Sequence, residues 1–557
     1  MHGRLREACI VALVVLGTAP SLRAQTVRGV VRDSVTDRPL PGAVVILLDA
    51  NGAELGRALS GQQGRYQLAV PQAISRIRAL HMGFRPREES LVVPPGGSAT
   101  ADLSLRMLST MLAPVNVRVN PRCSRRGDRE AAYGLWDQVS TGLLATIVAK
   151  NGVPAEKVRL RYTQTTRPGS ELVVRNEVRI DSIGDSLSSF SAVRSTRDFI
   201  RLGFTGVRNG KRLFFGPDAE VLLDSAFVNG YCLGIATGDG AHPAQVGVTF
   251  APVQQRLNLV DVAGTIWIDT AKHTLHDIAF KYVGLEPAVA KLDPGGTVSF
   301  REMPNGVVVI DHWQFRLVDA EKDTAVFNRQ YYVREFPYVA FSGGELARAQ
   351  WSDGTVWHAP LGALRAKAVW RDGKPAAGTA IFLDGTDYLA VVDSLGALAI
   401  DDLVPGPYAA VYADPRLAEL DVQIPTALRF TATRDSVHRA QVVLPTAEEF
   451  VVDRCVADKR WKNGDSTFVF GVVRYANGEL AKGADIELVS AFGLRETAAA
   501  ATSTTGADGM FQYCGNAFSR GGSVLVTVRL PGGVVTTSTV KLSDALTLLN
   551  VRFPDRK

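Results

Sequence analysis

Three side chains that could bind a metal ion lie close together in the sequence, at His273, His276 and Asp277. Imidazole and carboxylate groups are common protein ligands of Zn²⁺. The residues around them alternate between polar and apolar, which indicates a β-strand. Residues three apart in a strand face opposite sides of the sheet, so the two imidazole rings should diverge. The spacing therefore argues against a metal site. His312, beside Asp311 in a similar segment, favours a structural hydrogen bond.

No other motif in the sequence indicates a reaction. The chain has no G-x-S-x-G turn of a hydrolase, no H-E-x-x-H helix and no glycine loop placed before a helix to hold phosphate. Asp401 and Asp402 lie between strands, but a calcium site needs about six or more oxygen ligands. A hydrolase would require distant histidine and aspartate side chains to meet beside a nucleophile, and no spacing indicates this. We therefore predict no enzyme activity, no cofactor, and no catalytic, cofactor-binding or metal-binding residues.

The first 24 residues predict export. Arg4 and Arg6 precede an apolar run at residues 9–16 and a polar stretch that ends at Ala24. This pattern is typical of a secretory signal peptide, and the run is shorter than the ~20 residues that span a bilayer. No later apolar run is long enough to span one. We expect an exported protein, periplasmic or outer-membrane associated or extracellular, with no transmembrane segment after the signal peptide.

The cysteines that follow the signal peptide indicate disulfides. They are Cys123, Cys232, Cys455 and Cys514. An even number in an exported chain is typical of disulfide pairing, and the C-x-x-C spacing of a metal site is absent. Three connectivities are possible. We prefer Cys123 with Cys232 and Cys455 with Cys514, because each pair then stays within one expected domain.

The charge of the chain excludes one class of partner. A formal charge of +6 is small for 557 residues, and acidic and basic residues are interspersed. No basic run contains interleaved aromatic residues, so we expect no binding of nucleic acid. The length exceeds that of a single hydrophobic core and predicts roughly three to five domains.

Three segments share one pattern of strands and turns. In each, a short strand and a turn precede Gly42, Gly378 or Gly483, and roughly 20 residues later a glycine turn leads into an alternating strand. These strands read GRYQLAV, GALAIDDL and GMFQYC. Short strands at this spacing describe a small β-sandwich. The sequence therefore predicts a mainly β protein with sandwiches at residues 25–107, 360–445 and 450–555.

Residues 120–340 follow a different pattern. Between residues 128 and 151, apolar side chains recur at spacings of three and four, which predicts a helix with one side facing a core. From residue 157 to residue 335, alternating segments and a tight turn at PNG, residues 304–306, predict an antiparallel meander. We expect a central helix and an antiparallel β half-barrel-like domain.

The first predicted sandwich resembles a known family. GVVRDSVTDRPLPGAVVIL, with GQQGRYQLAVP and HMGF, is similar to the carboxypeptidase regulatory-like domain over residues 26–106. The resemblance implies a noncatalytic seven-stranded sandwich of transthyretin-like topology, grouped with carbohydrate-binding-like folds. GALAIDDLVPGPYAAVY, and GVVRYANGELAKGADIEL with GADGMFQYC, resemble the same family. MLAPVNVRVN, after the first copy, resembles the link that follows such a domain in TonB-dependent outer-membrane receptors.

The expected function follows from this organisation. We expect a noncatalytic cell-envelope protein of a diderm bacterium that binds or scaffolds through its sandwiches. By family resemblance its ligand is a carbohydrate, and its partner is an envelope polysaccharide or an outer-membrane protein. The alternative is a periplasmic carrier or sensor that holds a lipid or apolar ligand in the half-barrel, since GTIWIDTAKHTLHDIAFKY resembles the strands of lipoprotein-carrier half-barrels.

Overall fold

A computed structural model gives the architecture of most of the chain. It describes residues 25–70, 73–93, 96–108, 126–152, 155–167, 169–182, 196–208, 211–238, 240–254, 256, 258–327, 330–352, 354–457, 467–491, 500–543 and 546–553. The expected signal peptide at residues 1–24, the link after the first sandwich and Cys123 lie outside these residues. The chain divides into two compact units. The first unit comprises Met1–Glu156, Gly184–Trp313 and Gln350–Trp357, and the second comprises Lys157–Ile183, Gln314–Ala349 and His358–Lys557.

Strands dominate both units, in agreement with the predicted fold class. The first sandwich contains β1 (Gln25–Asp33), β2 (Val44–Leu48), β3 (Glu54–Leu59), β4 (Arg65–Val70), β5 (Arg76–Leu80), β6 (Arg87–Ser90), β7 (Ser98–Thr100) and β8 (Leu103–Leu105). Next come α1 (Arg126–Gly152), β9 (Ala155–Thr166), β10 (Val173–Ser182), α2 (Thr196–Leu202), β11 (Thr205–Arg208), β12 (Lys211–Phe214), α3 (Ala219–Leu223) and α4 (Ser225–Gly230). They are followed by β13 (Tyr231–Thr237), β14 (Gln245–Pro252), β15 (Asp261–Asp269), β16 (Thr274–Val283), α5 (Pro287–Ala290), β17 (Gly295–Glu302), β18 (Val308–Phe327), β19 (Gln330–Trp351) and β20 (Val356–His358).

The remaining elements belong to the second unit. The second sandwich contains β21 (Gly362–Trp370), β22 (Ala380–Leu383), β23 (Leu389–Val391), β24 (Ala397–Leu403), β25 (Gly406–Tyr412), β26 (Ile424–Ala432) and β27 (Val437–Leu444), with a 3₁₀ turn at Ala418–Leu420. After α6 (Ala447–Ala457), the third sandwich contains β28 (Thr467–Tyr475), β29 (Asp485–Ser490), β30 (Ala500–Thr504), β31 (Met510–Gly515), β32 (Ser523–Arg529), β33 (Val535–Lys541) and β34 (Leu546–Phe553).

All three sandwiches have the same topology. One sheet of the second sandwich has the order β24-β21-β27 and the other has the order β23-β22-β25-β26. The third sandwich repeats this order as β31-β28-β34 and β30-β29-β32-β33. The first does so as β4-β1-β7 and β3-β2-β5-β6, with its last strand split so that β8 also pairs with β1. In every copy the first strand therefore pairs in parallel with the last.

The recurring glycines are explained by the backbone. Gly42, Gly378 and Gly483 have φ values of 74°, 77° and 71°, a left-handed region that is costly for other residues. In two copies a buried hydroxyl fixes the same turn. Ser60 Oγ accepts a hydrogen bond from the amide after Gly42 (2.9 Å), and Thr505 Oγ1 accepts one from the amide after Gly483 (2.8 Å). The repeated motif is thus a repeated structural turn.

Helix α1 of the first unit packs against two sheets. The predicted helix at residues 128–151 is confirmed as α1, and its apolar stripe is buried at Leu135, Val139 and Leu143. Its last turns contribute to a cluster with β2 of the first sandwich, formed by Val44, Ile46, Leu48, Ala145 and Val148. Helix α1 also contacts β13, β14 and β16 of the antiparallel meander. Burial of each large apolar side chain contributes about 1.5–3 kcal/mol.

A partly buried histidine should make the first unit sensitive to acid. His81 follows β5, and its two ring nitrogens face Met82 O (2.8 Å) and Pro41 O (3.2 Å). Burial lowers the pKa of His81 from its ordinary value, outweighing the two carbonyl contacts, which raise it. The unfolded state therefore binds more protons, so the free energy of unfolding falls as the pH drops below about 6.5.

The His81→Gln variant tests this effect. When the pH is lowered from about 7.5 to about 5, we expect the free energy of unfolding to fall more in the wild type than in the variant, because a glutamine side chain does not titrate. Urea unfolding at both pH values measures this difference. His358→Gln is the control, since His358 is exposed on a short strand of the second unit. Equal losses in the wild type and in His81→Gln would contradict the prediction.

Helix α6 of the second unit precedes the third sandwich and was not predicted from the sequence. It begins with a capping box, in which Thr446 Oγ1 accepts from Glu449 N (3.2 Å) and Glu449 Oε2 accepts from Thr446 N (2.7 Å). Its buried side includes Phe450, Val451 and Cys455. Cys455 forms a disulfide with Cys514 of β31, with a Cα–Cα distance of 5.9 Å. The helix is therefore tied covalently to the third sandwich.

Candidate functional site

The outer face of the first sandwich forms a groove that is lined by both apolar and polar side chains. Strands β1 and β4 pair in antiparallel register, with Arg28 opposite Gln67 and Val30 opposite Arg65. Their alternate residues, such as Val27 and Val31, are buried in the core of the sandwich. Period-two alternation therefore presents two guanidinium groups and one amide on the side away from this core.

Segments from elsewhere in the first unit complete the groove. Thr100 and Asp102 extend the floor, and a second wall is formed by Asn305, Val307 and Ser352. The PNG turn predicted at residues 304–306 is confirmed by hydrogen bonds from Gly306 N to Met303 O (2.8 Å) and from Met303 N to Val307 O (2.9 Å). The groove has a volume of about 550 Å³, within the range of small-ligand sites.

The groove floor is held in place by the backbone. Val30 N donates to Asp102 Oδ1 (2.9 Å), and the Tyr66 hydroxyl donates to Ala101 O (2.6 Å). A Cβ on Gly29 would lie 1.8 Å from the same carbonyl oxygen, so only glycine permits this approach. Burial raises the pKa of Tyr66, which keeps its hydroxyl protonated as a donor. The polar groups therefore sit on a preorganised surface.

A comparison with protein families identifies this part of the chain. The family model described as the carboxypeptidase regulatory-like domain aligns with residues 26–106. Residues 26–106 match the carboxypeptidase regulatory-like domain. This confirms the resemblance drawn from the sequence, and the groove lies mainly on this regulatory-like domain. No curated protein matches the chain.

Several solved structures show weak similarity. The dioxygenase domain of a carbohydrate-binding protein fusion from Streptomyces sp. SirexAA-E is 14% identical, with a TM-score of 0.14, over 17% of this chain and 94% of that chain. The Bacillus anthracis TIE protein is 8% identical, with a TM-score of 0.14, over 62% and 64%. The shaft pilin SpaA of Lactobacillus rhamnosus GG is 11% identical, with a TM-score of 0.13, over 34% and 98%. TM-scores this low carry no functional information.

The structure places three of the four predicted disulfide cysteines. It contains the preferred Cys455–Cys514 pair. Cys232, in β13, is also disulfide-bonded. The preferred partner of Cys232 is Cys123, which lies outside the described residues, so this pairing stays a prediction.

His273 and His276 do not share one strand, contrary to the prediction from their spacing. His273 lies in the turn before β16, with φ 55°, so the premise that His273 and His276 share one strand is wrong. His276 and Asp277 instead meet the distant His242, with their ligand atoms within 4.8 Å of one another. His312 lies in β18, and the neighbouring Asp311 accepts a hydrogen bond from Arg301 Nε (2.6 Å).

Asp401 and Asp402 lie within β24, so their predicted position between strands is wrong, and both have ordinary partners. Asp401 forms an ion pair with Arg365 (2.5 Å), and Asp402 forms one with Arg348 (2.8 Å). Burial raises the pKa of Asp402. None of the described helices combines the length and apolar composition needed to cross a bilayer.

Sequence reasoning missed the groove residues for a simple reason. Arg65 and Gln67 form the polar half of the alternating strand RYQLAV, and this half looks like any solvent-facing strand edge. The far wall, with Asn305 and Ser352, comes from residues more than 200 positions away. A sequence pattern alone could not join these segments.

Proposed function

We propose that the chain is a noncatalytic exported protein of the cell envelope that binds polysaccharide in the groove of the regulatory-like domain. The observation that carries the proposal is the groove itself, whose lining contains Arg28, Arg65, Gln67, Asp102 and Ser352. Guanidinium, amide, carboxylate and hydroxyl groups are hydrogen-bonding partners for a polyhydroxylated chain. The family of residues 26–106 supports a noncatalytic role.

The groove contains cationic groups. Arg28 and Arg65 are exposed on neighbouring strands, and both are groove residues. Charge-assisted hydrogen bonds from guanidinium groups are roughly twice as strong as neutral ones. We therefore expect an envelope polysaccharide with acidic or densely hydroxylated units, such as a peptidoglycan strand.

The other parts of the chain support a binding role. Two further sandwiches of the same topology and a disulfide stabilise the second unit without adding a catalytic motif. A disulfide is typical of proteins that fold in oxidising compartments, which supports export. An outer-membrane protein as a second partner and a lipid-holding meander both stay predictions.

A retention experiment tests the proposal. The full chain is applied to a panel of immobilised peptidoglycan and envelope polysaccharides, and we expect saturable retention on at least one. The double variant Arg65→Ala and Gln67→Ala should bind at least tenfold more weakly, because it loses a charged and a neutral hydrogen-bonding group. The matched control is Arg429→Ala with Gln441→Ala, two exposed strand residues of the second sandwich.

The outcomes separate the two functions. If the groove variant and the control variant weaken retention equally, the result contradicts a binding site in the groove. Absence of retention, together with lipid extracted from the purified protein and identified by mass, would move the function to the meander of the first unit.

A further inference from the structure

A second cluster of chemically active side chains lies in the first unit, among residues that are not part of the groove. His242 lies in the connection between β13 and β14, and His276 and Asp277 are consecutive in β16. His242 Nε2 is 3.0 Å from Asp277 Oδ2, and His276 Nδ1 is 2.6 Å from the same oxygen. Two imidazole rings and one carboxylate therefore converge on one point.

A β-bulge explains how consecutive residues can meet. Strand β15 pairs with β16 so that Trp267 is opposite Asp277, whereas the next residue, Ile268, is opposite Leu275. His276 is thus the extra residue of the bulge. A bulge interrupts the strict alternation of a strand and redirects a side chain. This irregularity brings the His276 ring to the Asp277 carboxylate.

The remaining ring is held by an aromatic neighbour. The imidazole of His242 stacks on the buried indole of Trp267, with a centroid distance of 4.3 Å and an interplanar angle of 11°. The His242 and His276 rings are nearly perpendicular, at 85°. Stacking thus fixes one ligand before any ion arrives, which reduces the entropy lost on binding.

The burial of the Asp277 carboxylate is an independent observation that favours a cation at this cluster. The Asp277 side chain is only 10% exposed. Its Oδ2 faces both histidines, whereas its Oδ1 is buried with no hydrogen-bond partner among the described residues. Burial of a carboxylate is costly unless its oxygens are paired or bind a metal ion.

We propose that His242, His276 and Asp277 bind one divalent transition-metal ion, of which Zn²⁺ is the best match. Imidazole and carboxylate donors suit zinc, and the six or more oxygens of a calcium site are not assembled here. Ligand atoms about 2.0–2.2 Å from one zinc ion lie roughly 3.3–3.6 Å apart in a tetrahedron, so the cluster needs only small movements. The His276 side chain is 47% exposed, which leaves the fourth position open to water.

Calorimetric titration tests the site. The full chain, produced without a polyhistidine tag and dialysed against a chelator, is titrated with Zn²⁺. We expect one equivalent to bind with a Kd of about 10 µM or tighter. His276→Ala and Asp277→Asn should each weaken binding by at least about tenfold, and Co²⁺ in the same site should give the visible absorption bands of tetrahedral coordination.

The variants keep the test decisive even if one folds poorly. His276 is half-exposed, so its truncation should leave the circular dichroism spectrum unchanged, whereas Asp277 is buried. His358→Ala, at an exposed histidine of the second unit, is the matched control and should bind zinc as the wild type does. The proposal is overturned if Zn²⁺ does not bind saturably, if His276→Ala binds it unchanged, or if His358→Ala weakens it equally.

Discussion

Replacement of Arg256 by Met should lower the free energy of unfolding of the first unit by about 3–5 kcal/mol. Asp261 begins β15, and its side chain is only 2% exposed. Arg256 binds both oxygens of this carboxylate, through Nε to Oδ2 (2.9 Å) and through Nη2 to Oδ1, and also donates to Ile200 O. Without Arg256, the Tyr231 hydroxyl (3.2 Å) would be the main remaining partner shown for a buried charge.

A second variant separates lost charge pairing from lost packing. Arg256→Met combined with Asp261→Asn should recover more than half of the loss, because the buried group is then neutral. Lys281→Met is the control, since Lys281 and Asp293 form an ion pair (2.8 Å) with side chains 68% and 63% exposed. This control should change stability by less than about 1 kcal/mol. Urea unfolding measures all three, and similar losses for Arg256→Met and Lys281→Met would contradict the prediction.

Removal of the Cys455–Cys514 disulfide should destabilise the second unit by about 4 kcal/mol. The two cysteines are 59 residues apart, so the bond removes a large loop-closure entropy from the unfolded chain. Cys455 is fully buried beside the core of the second sandwich. The double variant Cys455→Ala and Cys514→Ala is compared with the wild type by urea unfolding without reductant.

The control for the disulfide lies on the same helix. Val456 follows Cys455 and is 56% exposed, so Val456→Ala should change stability by only about 0.5 kcal/mol. If the double cysteine variant lowers the free energy of unfolding by less than about 1 kcal/mol, the disulfide does not reduce the conformational entropy of the unfolded chain as proposed.

Much of the architecture could be predicted because the same local signals occur three times. Alternating strands and the glycines at positions 42, 378 and 483 define each sandwich, and all three copies have the same strand order. The apolar stripe of α1 predicted its bounds to within two residues. The finer domain boundaries at 25–107, 120–340, 360–445 and 450–555 stay a prediction. The signals that succeeded are local, since each depends on residues within one strand, turn or helix.

The parts that failed depend on irregular or long-range geometry. A perfect strand would separate His276 from Asp277, and only the register shift opposite Trp267 brings them together. Their third partner, His242, is more than 30 residues away. By contrast, α6 could have been found from the spacing of Thr446 and Glu449, which is the signature of a capping box. Alternation describes the average strand, whereas candidate sites form where a strand departs from it.

The parallel pairing of first and last strands has a mechanical consequence. In the second sandwich this pairing covers eight residue pairs, from Ala363 with Val437 to Trp370 with Leu444, and the third sandwich also has eight such pairs. Eight residues of strand span about 26 Å. A force that pulls the two ends of such a module apart loads all of these hydrogen bonds together in shear, instead of opening them one at a time. Each of these modules should therefore resist unfolding by a force applied along its strands.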